Sequence, residues 1–168
     1  FAGTGHVNAR AAPAQPRVAV VIGNAAYPTA QLHNTVNDAK AVANALRDVG
    51  FTVIEVHDGG RTRMQEALER AAALLRGRNG VGMLYFAGHG VQLDWHNYLL
   101  AVDSLSSTAA EVRANSLSLQ SVIDAFRIAG TRVSLVVLDA CRDNPFIDGS
   151  QGKGLAQMDA PPGTLLAF

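Results

Sequence analysis

The sequence predicts an α/β fold in which a mainly parallel sheet carries helices on both faces. Three observations lead there. Short, nearly continuous apolar runs rich in Val and Ile alternate along the chain with longer segments of helical periodicity. The runs lack the in–out alternation of a sheet wetted on one side, so each strand is buried on both. The chain's 168 residues, 48% hydrophobic and 17% charged, suffice for one domain with a sizeable core.

Residues 1–16 (FAGTGHVNARAAPAQP) read as a flexible tail or linker, and the domain is expected over 17–168. The tail has neither the basic nor the apolar region of a signal peptide; it is either a linker or what remains after one was removed. Residues 17–23 (RVAVVIG), bounded by Pro16 and Gly23, form the first strand, and a polar loop follows over 24–34. A helix is expected over 36–49, with Ala39, Val42, Ala43 and Leu46 on one face and Gly50 just past its end. Residues 51–56 (FTVIEV) give a second strand. Residues 61–76 repeat the helical pattern through Met64, Ala67, Leu68, Ala71 and Leu75. The third strand is 81–86 (VGMLYF). A third helix spans 116–129, facing inward with Leu119, Val122, Ile123 and Phe126. Residues 131–138 (TRVSLVVL) form a fourth strand, and 163–168 (GTLLAF) begin a fifth.

Several function classes are disfavoured. The formal net charge is +0, and Arg61, Arg63, Arg70, Arg76 and Arg78 alternate with acids and apolar residues as solvated helix surface, so no nucleic-acid partner is expected. No apolar run approaches the roughly 18 residues that cross a bilayer, so no membrane partner is expected. A single cysteine excludes an internal disulfide and a CxxC motif, and leaves the compartment open. His6, His33, His57 and His96 show no metal-ligand spacing, and there is no EF-hand-like loop; no cofactor is called for. Trp95 and Tyr98 read as packing residues rather than a recognition cage, with lining a cleft left open for Trp95.

In parallel sheets ligands bind beyond the carboxyl ends of the strands, so the residues that follow each strand matter most. After the first comes GNAAYP, after the third AGHGVQ, after the fourth DACRDN. His89 lies between Gly88 and Gly90, which free the backbone for unusual dihedrals and close approach. The plainer reading is a loop histidine between turn glycines. Cys141 alone is most simply a small buried hydrophobe. Together, at neighbouring strand ends, a thiol and an imidazole are the minimum for cysteine nucleophilic catalysis. The backbone N–H groups of Gly90 and Cys141 are then candidates for an oxyanion hole.

LYFAGHGVQ followed by LVVLDACRDNPF resembles the large-subunit core of the caspase-like cysteine peptidases. Animal caspases carry Q-A-C-[RQG]-G with the histidine about 50 residues upstream; here the segment is D-A-C-R-D, and His89 precedes Cys141 by a similar separation. VAVVIGNAAYP and LHNTVNDAKAVANAL resemble the family's first strand, loop and helix. The likeness runs from Arg17 to Phe168 and is nearest to the bacterial metacaspase-like branch, the orthocaspases. It implies a three-layer caspase–haemoglobinase fold, His89 as general base or acid, and Cys141 as the thiolate that forms an acyl-enzyme.

Where animal caspases have glutamine, this chain has Asp139. Metacaspases and paracaspases accept Arg or Lys at P1 through acids, which the resemblance maps onto Asp38 and Asp139. Residues i and i+2 of a strand share a face, so Asp139 is expected beside Cys141. Two partly desolvated carboxylates would welcome a guanidinium. The plainer readings are a first-turn helix charge for Asp38 and a loop cap for Asp139. Asp143 and Asn144 are expected to shape the nucleophile's loop. Some metacaspases need calcium, for which the sequence shows no site. The resembling enzymes continue into a small-subunit segment, so such a segment or chain is expected as a partner that completes the cleft, beside a substrate with a basic P1 residue. Two other classes compete. A non-catalytic caspase-like binding module is disfavoured by the presence of both His89 and Cys141. A flavodoxin-like nucleotide-binding domain is disfavoured by the lack of a phosphate loop after the first strand.

Overall fold

The computed structural model describes residues 15–104, 108–141, 155 and 158–168, with Cys141 described by its backbone only. The elements are β1 Arg17–Gly23, α1 Thr35–Asp48, β2 Thr52–His57, α2 Arg61–Leu75, β3 Val81–Leu93, β4 His96–Leu100, α3 Ala109–Asn115, β5 Ser116–Ser118, α4 Leu119–Ala129, β6 Val133–Cys141 and β7 Thr164–Ala167. The parallel strands run in the order β2-β1-β3-β6-β7, and the carboxyl end of β3 continues into an antiparallel β3-β4-β5 ladder.

The strands are apolar on both sides because both sides are covered. Ala19, Val21, Tyr85 and Ala87 face α1 and pack with its Ala39 and Ala43. Val20, Ile22, Leu84, Phe86, Val136 and Leu138 point the other way, into the larger core beneath α2 and α4. Packing on that side is tight enough to dictate a glycine: a Cβ on Gly82 would stand 2.9 Å from the Phe126 ring. The inward faces read from the helical periodicity are the observed ones: Ala39 and Ala43 on α1, Met64 to Leu75 on α2, Leu119 to Phe126 on α4. The five arginines expected on the surface are exposed.

The centre of the chain departs from expectation. AGHGVQ is not a loop: β3 runs on through it to Leu93 and turns back as β4. Two glycines in a short stretch imitate a loop, but here they mark close approaches inside a strand. The hairpin turn, Asp94–Trp95, has both residues at positive φ, 47° and 66°, without a glycine to signal it. Residues 116–118, expected in a helix, instead form β5, and α4 begins at Leu119. The short helix α3, not among the expected elements, starts at a capping box formed by Thr108 and Glu111. Trp95 is no packing residue; at the hairpin tip it is 88% exposed. Among the described residues no helix is long and apolar enough to cross a membrane.

Candidate active site

His89 and Cys141 are register partners. They close the parallel β3–β6 ladder, each opposite the other, at the carboxyl end of both strands. One residue later β3 changes partner, and Gly90 pairs with Leu99 of β4. The imidazole-bearing residue therefore stands where the strand leaves the parallel sheet.

His89 is buried, and its ring is held by the loop after β1. Nε2 lies 2.7 Å from the carbonyl oxygen of Ala30. A carbonyl only accepts, so Nε2 carries the proton and, in the neutral ring, Nδ1 keeps the lone pair. The Tyr27 ring packs against the imidazole, centroids 4.5 Å apart and planes at 55°. The glycines around His89 serve space rather than unusual dihedrals; neither has positive φ. A Cβ on Gly88 would lie 2.6 Å from the Tyr27 hydroxyl, and one on Gly90 would lie 2.7 Å from Leu155.

Asp139 meets Tyr85, and the charge of Asp38 is felt there. The Tyr85 hydroxyl donates to Asp139 Oδ2 at 3.3 Å. Burial first, then the charge and hydrogen bond of Asp139, then the charge of Asp38, push this phenol from its ordinary 10.0 up to about 12. Asp38 and Asp139 thus act on one atom, although one belongs to the first turn of α1 and the other to β6. Both are exposed, not partly desolvated as expected. Asp139 is two residues from Cys141 on the same strand; the Cys141 side chain, Asp143 and Asn144 lie outside what is described.

The expected set omitted Tyr27, Ala30 and Tyr85. Ala30 acts through a main-chain carbonyl, which no residue type announces. Tyr85 sits in an apolar strand and reads as core. Tyr27 lies in GNAAYP, at the rim, where a tyrosine among alanines carries no catalytic signal of its own. Among the described residues no group of three or more His, Cys, Asp or Glu side chains is placed to hold a metal ion.

A family model described as the caspase domain matches residues 16–163. Mucosa-associated lymphoid tissue lymphoma translocation protein 1 of Homo sapiens is 28% identical over 130 residues, covering 77% of this chain; its homolog in Mus musculus matches equally. The chain spans 15% of the length of these curated relatives. The crystal structure of the Drosophila initiator caspase Dronc superposes with a TM-score of 0.55 at 12% identity, over 72% of this chain and 47% of that one. At that identity the likeness is one of fold, and it matches the layered α/β arrangement described above.

Proposed function

Because this chain belongs to the caspase-domain family of cysteine peptidases, we propose that it carries the His–Cys dyad of an endopeptidase that cleaves after Arg or Lys, as metacaspase-like enzymes do. The register that sets His89 opposite Cys141 carries this reading.

In it, Nδ1 of His89 takes the thiol proton of Cys141. The thiolate attacks the scissile carbonyl carbon, and the negative charge moves to the carbonyl oxygen, held by the N–H groups of Gly90 and Cys141. The tetrahedral adduct collapses, the C–N bond breaks, and His89 returns the proton to the departing amine. Water, deprotonated by the same nitrogen, then attacks the thioester and frees the acid and the thiol. The Ala30 carbonyl supports the step in which the imidazole becomes cationic, because Nε2–H keeps an acceptor throughout.

Asp38 and Asp139 receive the basic P1 side chain. Their joint action on Tyr85 supports a shared site. The Tyr85 bond occupies one lone pair of Asp139, leaving others for a guanidinium. No cofactor enters the chemistry. A small-subunit segment adds to the sheet beyond β7, whose Leu165 is 59% exposed.

The test uses fluorogenic peptides with Arg, Lys or Asp at P1, with and without calcium, alongside Cys141→Ala. Cleavage after Arg or Lys that vanishes in the variant is the expected result. Absence of thiol-dependent cleavage by the full-length protein sinks the peptidase reading in favour of a non-catalytic module. Preference for Asp at P1 sinks the acidic pocket.

A further inference from the structure

The loop after β1 enters the chemistry above only through the Ala30 carbonyl, yet it holds His89 at further points. Tyr27 is 1% exposed. Its hydroxyl bridges two backbone groups of the β3–β4 hairpin, accepting the His89 N–H at 3.0 Å and donating to the Leu100 carbonyl at 3.1 Å. A hydroxyl has one proton to give, so this pairing fixes its direction. The ring covers the imidazole at 4.5 Å. The hydroxyl reaches this place only because residue 88 is glycine.

The loop is in turn anchored from outside. Asp58 Oδ1 accepts the N–H groups of Ala25 and Ala26 at 2.7 and 2.9 Å. The Asn24 side chain accepts from the Gly59 N–H at 2.9 Å and donates to the Leu100 carbonyl at 3.1 Å. The Thr35 hydroxyl donates to the Asn24 carbonyl at 2.8 Å. Three residues past Tyr27, Ala30 accepts the Nε2 proton. One short loop therefore fixes the His89 backbone, covers its ring and selects its tautomer.

The geometry assigns Tyr27 as a positioning residue for His89. It holds the imidazole so that Nε2–H stays on Ala30 and Nδ1 remains the basic nitrogen, which rests on the reading of His89 as the general base. Without the hydroxyl, the His89 N–H loses a buried acceptor, the strand end loosens, and the imidazole samples orientations in which Nδ1 is misdirected.

The experiment is Tyr27→Phe in the full-length protein, which keeps the ring and removes both bonds. Two readouts are taken: kcat and KM on an Arg-P1 peptide, and the His89 tautomer by nitrogen NMR of histidine-labelled protein, assigned against His89→Ala. The expectation is a kcat lowered roughly ten-fold or more, because small misplacements of a catalytic group are costly. KM should stay within about two-fold, since substrate binding is untouched. The single Nε2-protonated tautomer should become a mixture. An unchanged kcat, or a tautomer that does not move, overturns the assignment. If Tyr27→Phe does not fold, Asp58→Asn weakens the loop's anchor from its partly exposed side. Asn suits the positive φ of 47° there. A tautomer unmoved in that variant also overturns the assignment. If the wild-type protein cleaves nothing, the peptidase reading fails while the tautomer comparison still decides the role of Tyr27.

Discussion

Tyr85 is the residue through which the acids of the site become measurable. Its phenol is held neutral by burial and by two nearby carboxylates, so the folded-state value of about 12 lies above the ordinary 10.0. The sign follows. Below about pH 10 the phenol is protonated in folded and unfolded chains alike, and its contribution to stability is fully present. Between about 10 and 12 the unfolded chain loses the proton first, so stability falls as pH rises through the folded value. A urea-midpoint series across this range should show the decline, and Tyr85→Phe should lessen it; an identical decline in the variant refutes the assignment. Asp139→Asn should lower the Tyr85 pKa, read as the absorbance difference against Tyr85→Phe. His89, Asp38 and Asp139 were visible in the sequence as candidates because their residue types carry chemistry and sit in recognisable segments. Tyr85 and Tyr27 were not, because a tyrosine in apolar company looks like packing, and the Ala30 carbonyl has no side-chain signature at all.

At the scale of elements, the strand–helix alternation was readable because long apolar periods dominate local chemistry. The β3–β4 hairpin was not, because its glycines lie within the strand and its turn lacks one. Both reversals yield predictions. Trp95 pays for a left-handed backbone while its indole stands in water, 88% exposed. Trp95→Gly removes that strain and should stabilise the domain by up to about 1 kcal/mol in chemical denaturation; a loss of stability would show that the indole has a packing role. Gly88→Ala is the converse case. Its methyl would meet the Tyr27 hydroxyl at 2.6 Å and Phe86 at 2.7 Å, both buried. Overpacking of this kind costs roughly 1–3 kcal/mol, and a lowered melting temperature should accompany it. An alanine accommodated without cost would mean that the wall around His89 yields.

For the whole molecule, the proposed function divides two tasks between the faces of the sheet. On one face Phe126, 0% exposed, fills the space above Gly82 beneath α4. On the other, Asp139 reaches Tyr85 near α1 with its carboxylate in solvent. The β3–β6 register that aligns His89 with Cys141 is shared by both faces, but the side chains are not. Stability and specificity should therefore come apart. Phe126→Ala should cost about 3–5 kcal/mol, a large share of the roughly 5–15 kcal/mol that holds a domain together. At temperatures where it stays folded, its preference for Arg over neutral P1 residues should match the wild type. Asp139→Asn keeps an acceptor for the Tyr85 hydroxyl, so its melting temperature should barely move. Its kcat/KM for Arg-P1 peptides should fall roughly ten-fold or more, as expected for losing a charge-assisted pair worth about 1.5–3 kcal/mol, with neutral-P1 cleavage less affected. Melting curves and P1 profiles of the two variants, measured side by side, decide the matter. If Phe126→Ala shifts the P1 preference, or Asp139→Asn melts early with its preference intact, the sheet does not divide the two tasks.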